Sequence, residues 1–131
     1  MSSIFTKIIN REIPAYIIAE DDSNIAFLDI NPLSEGHTLV VPKKEIDYIF
    51  DLDEQTYTSL QLFAKKVSVA LKKYTNKRIG STVIGIEVPH AHIHLIPFAK
   101  MSEMNFANPK LNFSSEEFAA TAAKIQGYYI P

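Results

Sequence analysis

The order of the predicted elements indicates an α+β fold: a mainly antiparallel sheet of five to six strands, one long helix packed on it, and a C-terminal helix. Short apolar runs separated by turn residues come first, then a long amphipathic helix, two further strand-like runs and a helical tail. The regular strand–helix alternation of a parallel sheet is missing. The length of 131 residues suits one domain with its own core, so we expect a single domain over residues 1–131.

The first half of the chain is predicted to hold a short helix and three strands. Ile4 to Ile9 places its apolar residues on one helical face, and Pro14 is expected to stop this helix. A turn over residues 21–24 joins the first two strands into a hairpin, Asn31-Pro32 breaks the second, and Pro42 ends the third. The predicted strands are 16–20, 25–29 and 37–41.

The second half is predicted to hold the long helix, two strands and the late helix. Apolar residues repeat at three and four from 53 to 74, with Asp51 or Asp53 as the cap. A β-rich run lies within 78–86, and the last strand is expected to carry the histidines from His90 and to end at Pro97, inside the sheet. The late helix is predicted over 115–126, with a capping box at Ser114 and Glu117 and a stop at Gly127.

The composition is that of an ordinary globular protein, with 47% hydrophobic residues, 21% charged residues and a net charge of −2. This charge balance predicts no binding to nucleic acid or to an anionic membrane, and no apolar run approaches the roughly 18 residues that span a bilayer. The absence of cysteine excludes disulfides, a thiol nucleophile and a cysteine-based zinc site. The N-terminus lacks the apolar core of a secretion signal, so we expect a cytoplasmic protein.

Three of the four histidines fall at every second position, as His90, His92 and His94 in VPHAHIHLIP. On a strand this spacing puts the imidazoles on one face and the apolar residues between them on the other. Such a row suits metal ligation, anion binding by ring N–H groups, or attack of one imidazole on phosphorus while the others contact charged oxygens. The alternative is a solvated strand face without function. We consider this alternative weaker, because polar clusters without partners are rare beside apolar strands.

Two further polar residues are candidates on weaker grounds. His37 follows Gly36 at the start of a predicted strand. A single histidine at such a position is more often structural, so His37 is a candidate site residue only if it lies beside the histidine row. Asp29 ends an apolar strand, and a carboxylate can accept hydrogen bonds from ribose hydroxyls. Taken alone, Asp29 favours the simpler interpretation of a turn residue that caps local backbone.

The chain resembles the histidine-triad family of nucleotide hydrolases and transferases, whose signature is His-x-His-x-His followed by two apolar residues, as at residues 90–96. The similarity extends through IFTKIINREIPAYIIAEDDSNIAFLDINP and GHTLVVPKK, and so covers about residues 3–45 and 85–97. The branch resembled has nucleoside phosphoramidase and adenylyl hydrolase activity. The resemblance implies a HIT-like fold, purine nucleotide substrates derived from AMP or GMP, a homodimer and no cofactor.

The resemblance also implies roles for matching residues. His92 matches the nucleophile that attacks the α-phosphorus to give a covalent nucleotidyl-imidazole, which water then hydrolyses, and His90 matches the residue that orients it. His94 and His37 match contacts to phosphate oxygens, and Asp29 matches the acid that binds the ribose hydroxyls. The remaining nucleotide-binding residues implied are those around the base and in the loop before the triad: Phe5, Ile8, Phe27, Ile30, Glu87 and Val88.

The sequence departs from the family pattern in two places. The loop IGSTVIGIEVPH before the triad is shortened and has Ile86 where the family carries glutamine, so contacts to the leaving group are expected to differ. Many members bind structural zinc through Cys-x-x-Cys, whereas the matching residues here are Ser3 and Thr6, with Glu45 in place of a later histidine ligand. We therefore expect no bound metal.

Several functions remain open at the level of sequence. The leading hypothesis is an enzyme that hydrolyses purine nucleoside 5′-phosphoramidates or related nucleotidyl derivatives. A dinucleoside polyphosphate hydrolase is an alternative of the same class, and Ile86 favours a nucleotide-binding module with little turnover. A metal-dependent protein with three histidine ligands is the weakest alternative, because no carboxylate is evidently placed to complete the ligand shell.

Overall fold

A five-stranded antiparallel sheet forms the centre of the computed structural model, which describes residues 2–131. The first three strands form a meander, the chain then crosses to the far edge of the sheet, and the last strand returns between its neighbours in the order β1-β2-β3-β5-β4. The predicted α+β fold is confirmed. The strands are β1 (Ile17–Glu20), β2 (Asn24–Leu28), β3 (Thr38–Pro42), β4 (Arg78–Thr82) and β5 (Ile93–Phe98).

Helices cover both faces of the sheet. Because successive strand residues alternate between faces, β2 contributes Ala26 and Leu28 to the core under the two longer helices, and Ile25 and Phe27 to a second core under the short one. None of the helices in the described part of the chain is long and apolar enough to cross a membrane. The helices are α1 (Ile4–Ile9), α2 (Glu54–Thr75) and α3 (Ser115–Tyr128).

The long helix α2 follows the predicted pattern closely. Asp53 caps its start by accepting a hydrogen bond from the Thr56 N–H, and Asn76 ends it in the left-handed conformation with φ of 55°. The apolar residues spaced at three and four are buried against the sheet, as expected for an amphipathic helix. They are Leu60, Phe63, Ala64, Val67, Ala70 and Leu71.

Some of the residues predicted to end elements were wrong. The helix α1 spans Ile4–Ile9 as predicted, but it ends before Pro14 is reached, because Arg11 adopts a left-handed conformation with φ of 63°. The glycine expected to stop α3, Gly127, lies inside the helix. Pro42 is the last residue of β3, where the strand was predicted to end, whereas Pro97 lies inside β5, which continues to Phe98. Both prolines fall outside the ladder that joins these two strands, where a missing N–H is tolerated.

The strand β4 overlaps only the first half of the β-rich run predicted within 78–86, Ser81 to Ile84, since it spans Arg78–Thr82. Its ladder with β5 ends where Thr82 pairs with His94, so Val83 and Ile84 continue without a partner and are 38% and 44% exposed. Gly80 lies inside β4 and is covered by the Met104 side chain. A Cβ at this position would come within 2.5 Å of the end of that side chain, which would have to move. The two halves of the predicted strand therefore differ: the first is paired, and the second forms an exposed loop.

Candidate active site

All four histidines of the chain lie together in one buried cluster. The side chains of His37, His90, His92 and His94 are 1%, 0%, 6% and 9% exposed. The ring of His94 lies 5.0 Å from that of His92 and 5.2 Å from that of His37, measured between centroids. The interpretation of the row as a solvated strand face is wrong.

Only one histidine of the row is in a strand, so the prediction of a strand from His90 was wrong at its start. β5 begins at Ile93. Before it, the Ala91 N–H donates a hydrogen bond of 2.7 Å to the carbonyl of Ile46, a residue beyond the end of β3. The alternation of faces survives nevertheless, since Ala91 and Ile93 both enter the core under α2. The predicted position of β5 inside the sheet, between β3 and β4, is confirmed.

The proton of the His92 ring is fixed by the backbone. The Nδ1 atom lies 2.8 Å from the carbonyl oxygen of His90, which can only accept, so Nδ1 carries the hydrogen. Burial lowers the pKa of His92, and the ring is therefore neutral near pH 7. Its Nε2 atom consequently holds a lone pair, and no residue within 2–131 forms a hydrogen bond to it.

His37 and His94 form a second chain of fixed protons. The Leu33 N–H donates to His37 Nδ1 at 3.0 Å, so the proton of neutral His37 lies on Nε2. That Nε2 is 3.0 Å from His94 Nδ1 and donates to it. Burial lowers the pKa of His37 to about 3 and that of His94 to about 4. Neutral His94 therefore presents its Nε2–H as a free donor, which suits an anionic oxygen.

Asp29 lies directly after β2 and uses its two carboxylate oxygens differently. One oxygen accepts a hydrogen bond of 2.8 Å from the Asn31 N–H, which is the turn role considered from the sequence. The other lies 3.5 Å from His37 Nε2. Burial raises the pKa of Asp29, and the positive form of His92 would lower it. The carboxylate thus belongs to the histidine cluster as well as to the turn.

Asp29, His37 and His94 are close enough to hold a metal ion, with one ligand atom of each within 4.8 Å of the others. A carboxylate does therefore accompany the histidines, contrary to the sequence-based argument. The hydrogen bonds nevertheless argue against a metal ion. The Leu33 N–H leaves the proton of His37 on Nε2, the atom nearest Asp29 and His94, so that atom has no lone pair to offer.

The apolar residues implied to contact a base are divided by the fold. Phe5 and Ile8 of α1 pack together with Phe27 of β2, and Val88 packs against this cluster. The ring of Phe5 meets that of His92 edge-on, with 4.9 Å between centroids. Ile30 is outside this cluster and is 63% exposed. A buried apolar wall therefore adjoins His92, and Ile30 could contact a ligand only from the solvent side.

The loop before the triad is exposed beside Asp29. Ile86 is 84% exposed, so it supplies an apolar surface where the family pattern has an amide. Glu87 is also exposed, and its negative charge contributes to raising the pKa of Asp29. Gly85 has φ of 74°, a conformation that side chains rarely adopt, and this explains a glycine at that position.

Three residues of the C-terminal tail that were not predicted from the sequence lie at the site. The ring of Phe106 packs edge-on against His94, with 4.9 Å between centroids, and lies 6.2 Å from His37. The Leu111 N–H donates to the Pro32 carbonyl at 2.9 Å, which ties this tail to the turn after Asp29. The positive charge of Lys110 opposes the rise that burial causes in the pKa of Asp29, and adds to the lowering that burial causes in the pKa of His37. No repeat, spacing or charge pattern in the sequence indicated that the tail reaches the histidines.

Comparisons with known proteins all lead to one protein family. A model of the HIT domain matches residues 10–101. A HIT-like protein of Borreliella burgdorferi is 40% identical over 131 aligned positions, covering 93% of this chain and 94% of that protein. The adenosine 5′-monophosphoramidase of Schizosaccharomyces pombe is 33% identical, covering 95% of this chain and 96% of the yeast protein.

A solved structure shares the same fold. The crystal structure of a Hit-like protein involved in cell-cycle regulation from Bartonella henselae matches with a TM-score of 0.84 and 32% identity, over 97% of this chain and 96% of that one. The family model spans most of the chain and includes the three-histidine sequence. The chain therefore belongs to the HIT, or histidine-triad, family.

Proposed function

We propose that this protein is a hydrolase that cleaves purine nucleoside 5′-phosphoramidates, or related nucleotidyl derivatives, through a covalent nucleotidyl-His92 intermediate. One observation carries the proposal: the His90 carbonyl binds Nδ1–H of His92, which leaves a lone pair on Nε2 of a buried neutral imidazole. Relatives of this chain that are named adenosine 5′-monophosphoramidase support the substrate class.

In the first step, Nε2 of His92 attacks the α-phosphorus. A nitrogen–phosphorus bond to His92 forms, the phosphorus–nitrogen bond to the leaving group breaks, and the leaving nitrogen departs as an amine after taking up one proton. The His92 ring becomes an imidazolium whose charge the His90 carbonyl and the Asp29 carboxylate stabilise. The Nε2–H of His94 is available to a phosphoryl oxygen during this step.

In the second step, water attacks the same phosphorus. The bond to His92 breaks, the water oxygen becomes part of the nucleoside monophosphate, and the proton that water releases balances the one consumed before. Imidazole suits this sequence because it is both a good nucleophile and a good leaving group. The ring returns to its neutral form, in which the His90 carbonyl again fixes the proton on Nδ1.

Nucleotide binding is proposed to use the groups around His92. The Asp29 oxygen that Asn31 leaves free would accept hydrogen bonds from the ribose hydroxyls. Phe5, Ile8 and Phe27 would contact the base from the buried side, with Val88 and the exposed Ile30 at the margin. Glu87 would lie at the entrance, because its charge acts on Asp29.

The direct test is to incubate the purified protein with adenosine 5′-phosphoramidate and to follow AMP release, with and without EDTA. We expect turnover in both conditions and a chain carrying one adenylyl group when the reaction is quenched early. A parallel reaction with diadenosine polyphosphate tests the alternative substrate class. AMP binding without turnover on either substrate would instead identify a nucleotide-binding module, the alternative that the exposed Ile86 favours.

We also propose that the protein forms a homodimer through the free edge of its sheet. The two edges differ in protection. At β1, the Gln126 amide of α3 donates to the Ile17 carbonyl at 2.6 Å. At the other edge, β4 pairs only with β5 among residues 2–131, and the exposed Val83 and Ile84 follow it. An uncovered edge with adjacent apolar side chains favours pairing with a second strand.

A further inference from the structure

Four polar residues from three parts of the chain meet behind the histidine row. Ser3 and Thr6 lie at the start of α1, Glu45 follows β3, and His90 precedes β5. The Ser3 Oγ lies 2.7 Å from His90 Nδ1. The Glu45 Oε1 accepts from the Ser3 N–H at 2.7 Å and from the Thr6 hydroxyl at 2.6 Å. These four residues are called the Glu45 cluster below.

The protons within the Glu45 cluster can be assigned. The Nε2 of His90 is 2.8 Å from the Pro42 carbonyl, so Nε2 carries the hydrogen. Burial lowers the pKa of His90, and its neutral ring therefore accepts at Nδ1 from the Ser3 hydroxyl. The same Ser3 oxygen accepts from the Thr6 N–H at 3.0 Å, which caps α1. Each hydroxyl thus donates once, that of Ser3 to His90 Nδ1 and that of Thr6 to Glu45 Oε1.

The donor set of this cluster does not fit the zinc ion that many relatives with Cys-x-x-Cys carry at the matching positions. Structural zinc sites use cysteine and histidine ligands. Here Ser3 and Thr6 keep their protons and donate them, and the Nδ1 lone pair of His90 is already engaged by Ser3. Glu45 accepts two hydrogen bonds, which hold its pKa below the ordinary value.

We propose that the Glu45 cluster is a metal-free hydrogen-bond network that positions His90, and through its carbonyl the reacting ring of His92. The proposal rests on the proposed function only in naming His92 as the nucleophile. Ser3, Thr6 and Glu45 are therefore positioning residues, since in the described chain Ser3 and Thr6 lie against His90 Nδ1, and Glu45 bonds to Ser3 and Thr6.

The network reaches His92 by two routes. The His90 ring is bonded at both nitrogens, to Ser3 and to the Pro42 carbonyl, and this immobilises the residue whose carbonyl accepts from His92 Nδ1–H. The second route is α1 itself, because Ser3 caps the helix that carries Phe5, whose ring packs on His92. Loss of the network should therefore misorient the nucleophile, and small misplacements of reacting groups are costly.

The test compares Glu45→Ala and Thr6→Val with the conservative variants Glu45→Gln and Thr6→Ser, which keep an acceptor and a hydroxyl. Glu116→Gln is a control, because Glu116 is exposed in the first turn of α3. Two readouts are needed: kcat and KM for adenosine 5′-phosphoramidate, and the nitrogen NMR signals of the His90 and His92 rings. The NMR measurement does not depend on turnover.

We expect Glu45→Ala and Thr6→Val to lower kcat at least tenfold with KM within threefold, and to broaden or shift the His92 Nδ1–H signal. Glu45→Gln, Thr6→Ser and Glu116→Gln should keep at least half of the kcat and an unchanged signal. Normal kcat and an unchanged His92 signal in both disruptive variants would overturn the proposal, even if their melting temperatures fell. If the wild-type protein has no turnover, the proposed function fails and the NMR comparison still decides this inference.

Discussion

The Nδ1 atom of His92 lies 2.8 Å from the backbone carbonyl oxygen of His90, two residues earlier in the chain. A regular strand would prevent this contact, because residues two apart are separated by about 6.6 Å along the strand and side chains stand roughly perpendicular to the sheet. The bend before Ile93 makes it possible. The departure of the histidine row from strand geometry therefore fixes the tautomer of His92.

The first prediction concerns His92 as the nucleophile. His92→Ala should reduce the rate of AMP release from adenosine 5′-phosphoramidate by several orders of magnitude, because the attacking lone pair is lost. AMP affinity should change less than threefold, since the groups proposed to bind ribose and base remain. Imidazole added to His92→Gly should restore part of the rate. Hydrolysis by His92→Ala at a near-normal rate would rule out His92 as the nucleophile.

The second prediction concerns stability in acid. The pKa of His37 is about 3 in the folded protein and about 6.5 when unfolded, so below pH 6.5 the unfolded chain binds a proton that the folded chain does not. The free energy of unfolding should therefore decrease as the pH is lowered below 6.5, by about 1.4 kcal/mol per pH unit for His37. His94 acts in the same direction, whereas the raised pKa of Asp29 opposes both at lower pH.

The variant His37→Asn isolates this contribution. Asparagine offers an oxygen near the position of Nδ1 to accept from the Leu33 N–H, and it does not titrate. Urea unfolding at pH 7.5, 6.5 and 5.5 should show a smaller loss of free energy in the variant than in the wild type. Equal losses in the two proteins would mean that His37 is not buried in its neutral form.

The third prediction separates the two roles of Asp29. If its free oxygen binds ribose hydroxyls, Asp29→Ala should weaken AMP binding by about 1–3 kcal/mol, the range for hydrogen bonds to a charged group. Binding of 2′,3′-dideoxy-AMP should weaken much less. Asp29→Asn preserves an acceptor for the Asn31 N–H and controls for damage to the turn. Equal losses for both nucleotides would leave Asp29 with the turn role alone.

The fourth prediction concerns Phe106. Its ring covers His94 from the tail, and removing it should expose the imidazole to water. Because burial is the main reason that the pKa of His94 is about 4, Phe106→Ala should raise that pKa toward its ordinary value. NMR titration of the histidine rings measures the change. Phe50→Ala is a matched control, since Phe50 is 69% exposed. An unchanged His94 titration would show that the tail does not shield the histidines.

The sequence predicts the parts of this protein that follow local periodicity. The apolar repeat from Leu60 to Leu71 and the Asp53 cap are enough to predict α2, because one helix face and one side-chain bond determine both. The histidine row could be predicted as a cluster for the same reason. The start of β5 at Ile93 could not be predicted, because the ladder with β3 pairs no residue before Ile93, and Ala91 bonds to Ile46 beyond the end of β3.

Contacts across long stretches of chain were beyond prediction from sequence. Phe106 reaches His94 only because the chain folds back after β5, and nothing near residue 106 encodes that path. For Ser3, the family resemblance indicated only a match to a cysteine that binds zinc in other members. Its hydrogen bond to His90 required the structure, since a serine hydroxyl can equally cap a helix, and here it does both.

The last prediction is the homodimer and the surface that forms it. Two surfaces compete: the free β4 edge with the apolar Val83 and Ile84, and the outer face of α2, where Leu62 and Val69 are 57% and 48% exposed. We expect the β4 edge, because an uncovered strand offers unpaired backbone groups in addition to apolar area. A closed two-fold pairing would satisfy both copies at once.

Sedimentation equilibrium at low micromolar concentration distinguishes the outcomes. The wild-type protein should have twice the 14.8 kDa mass of the chain. Ile84→Lys should shift it toward the monomer, because a charge beside an edge strand opposes pairing, while Val69→Lys should leave the dimer intact. The reverse result would assign the interface to α2. A wild-type mass near that of one chain would show that β4 remains unpaired in solution and that the histidine site is built from a single copy.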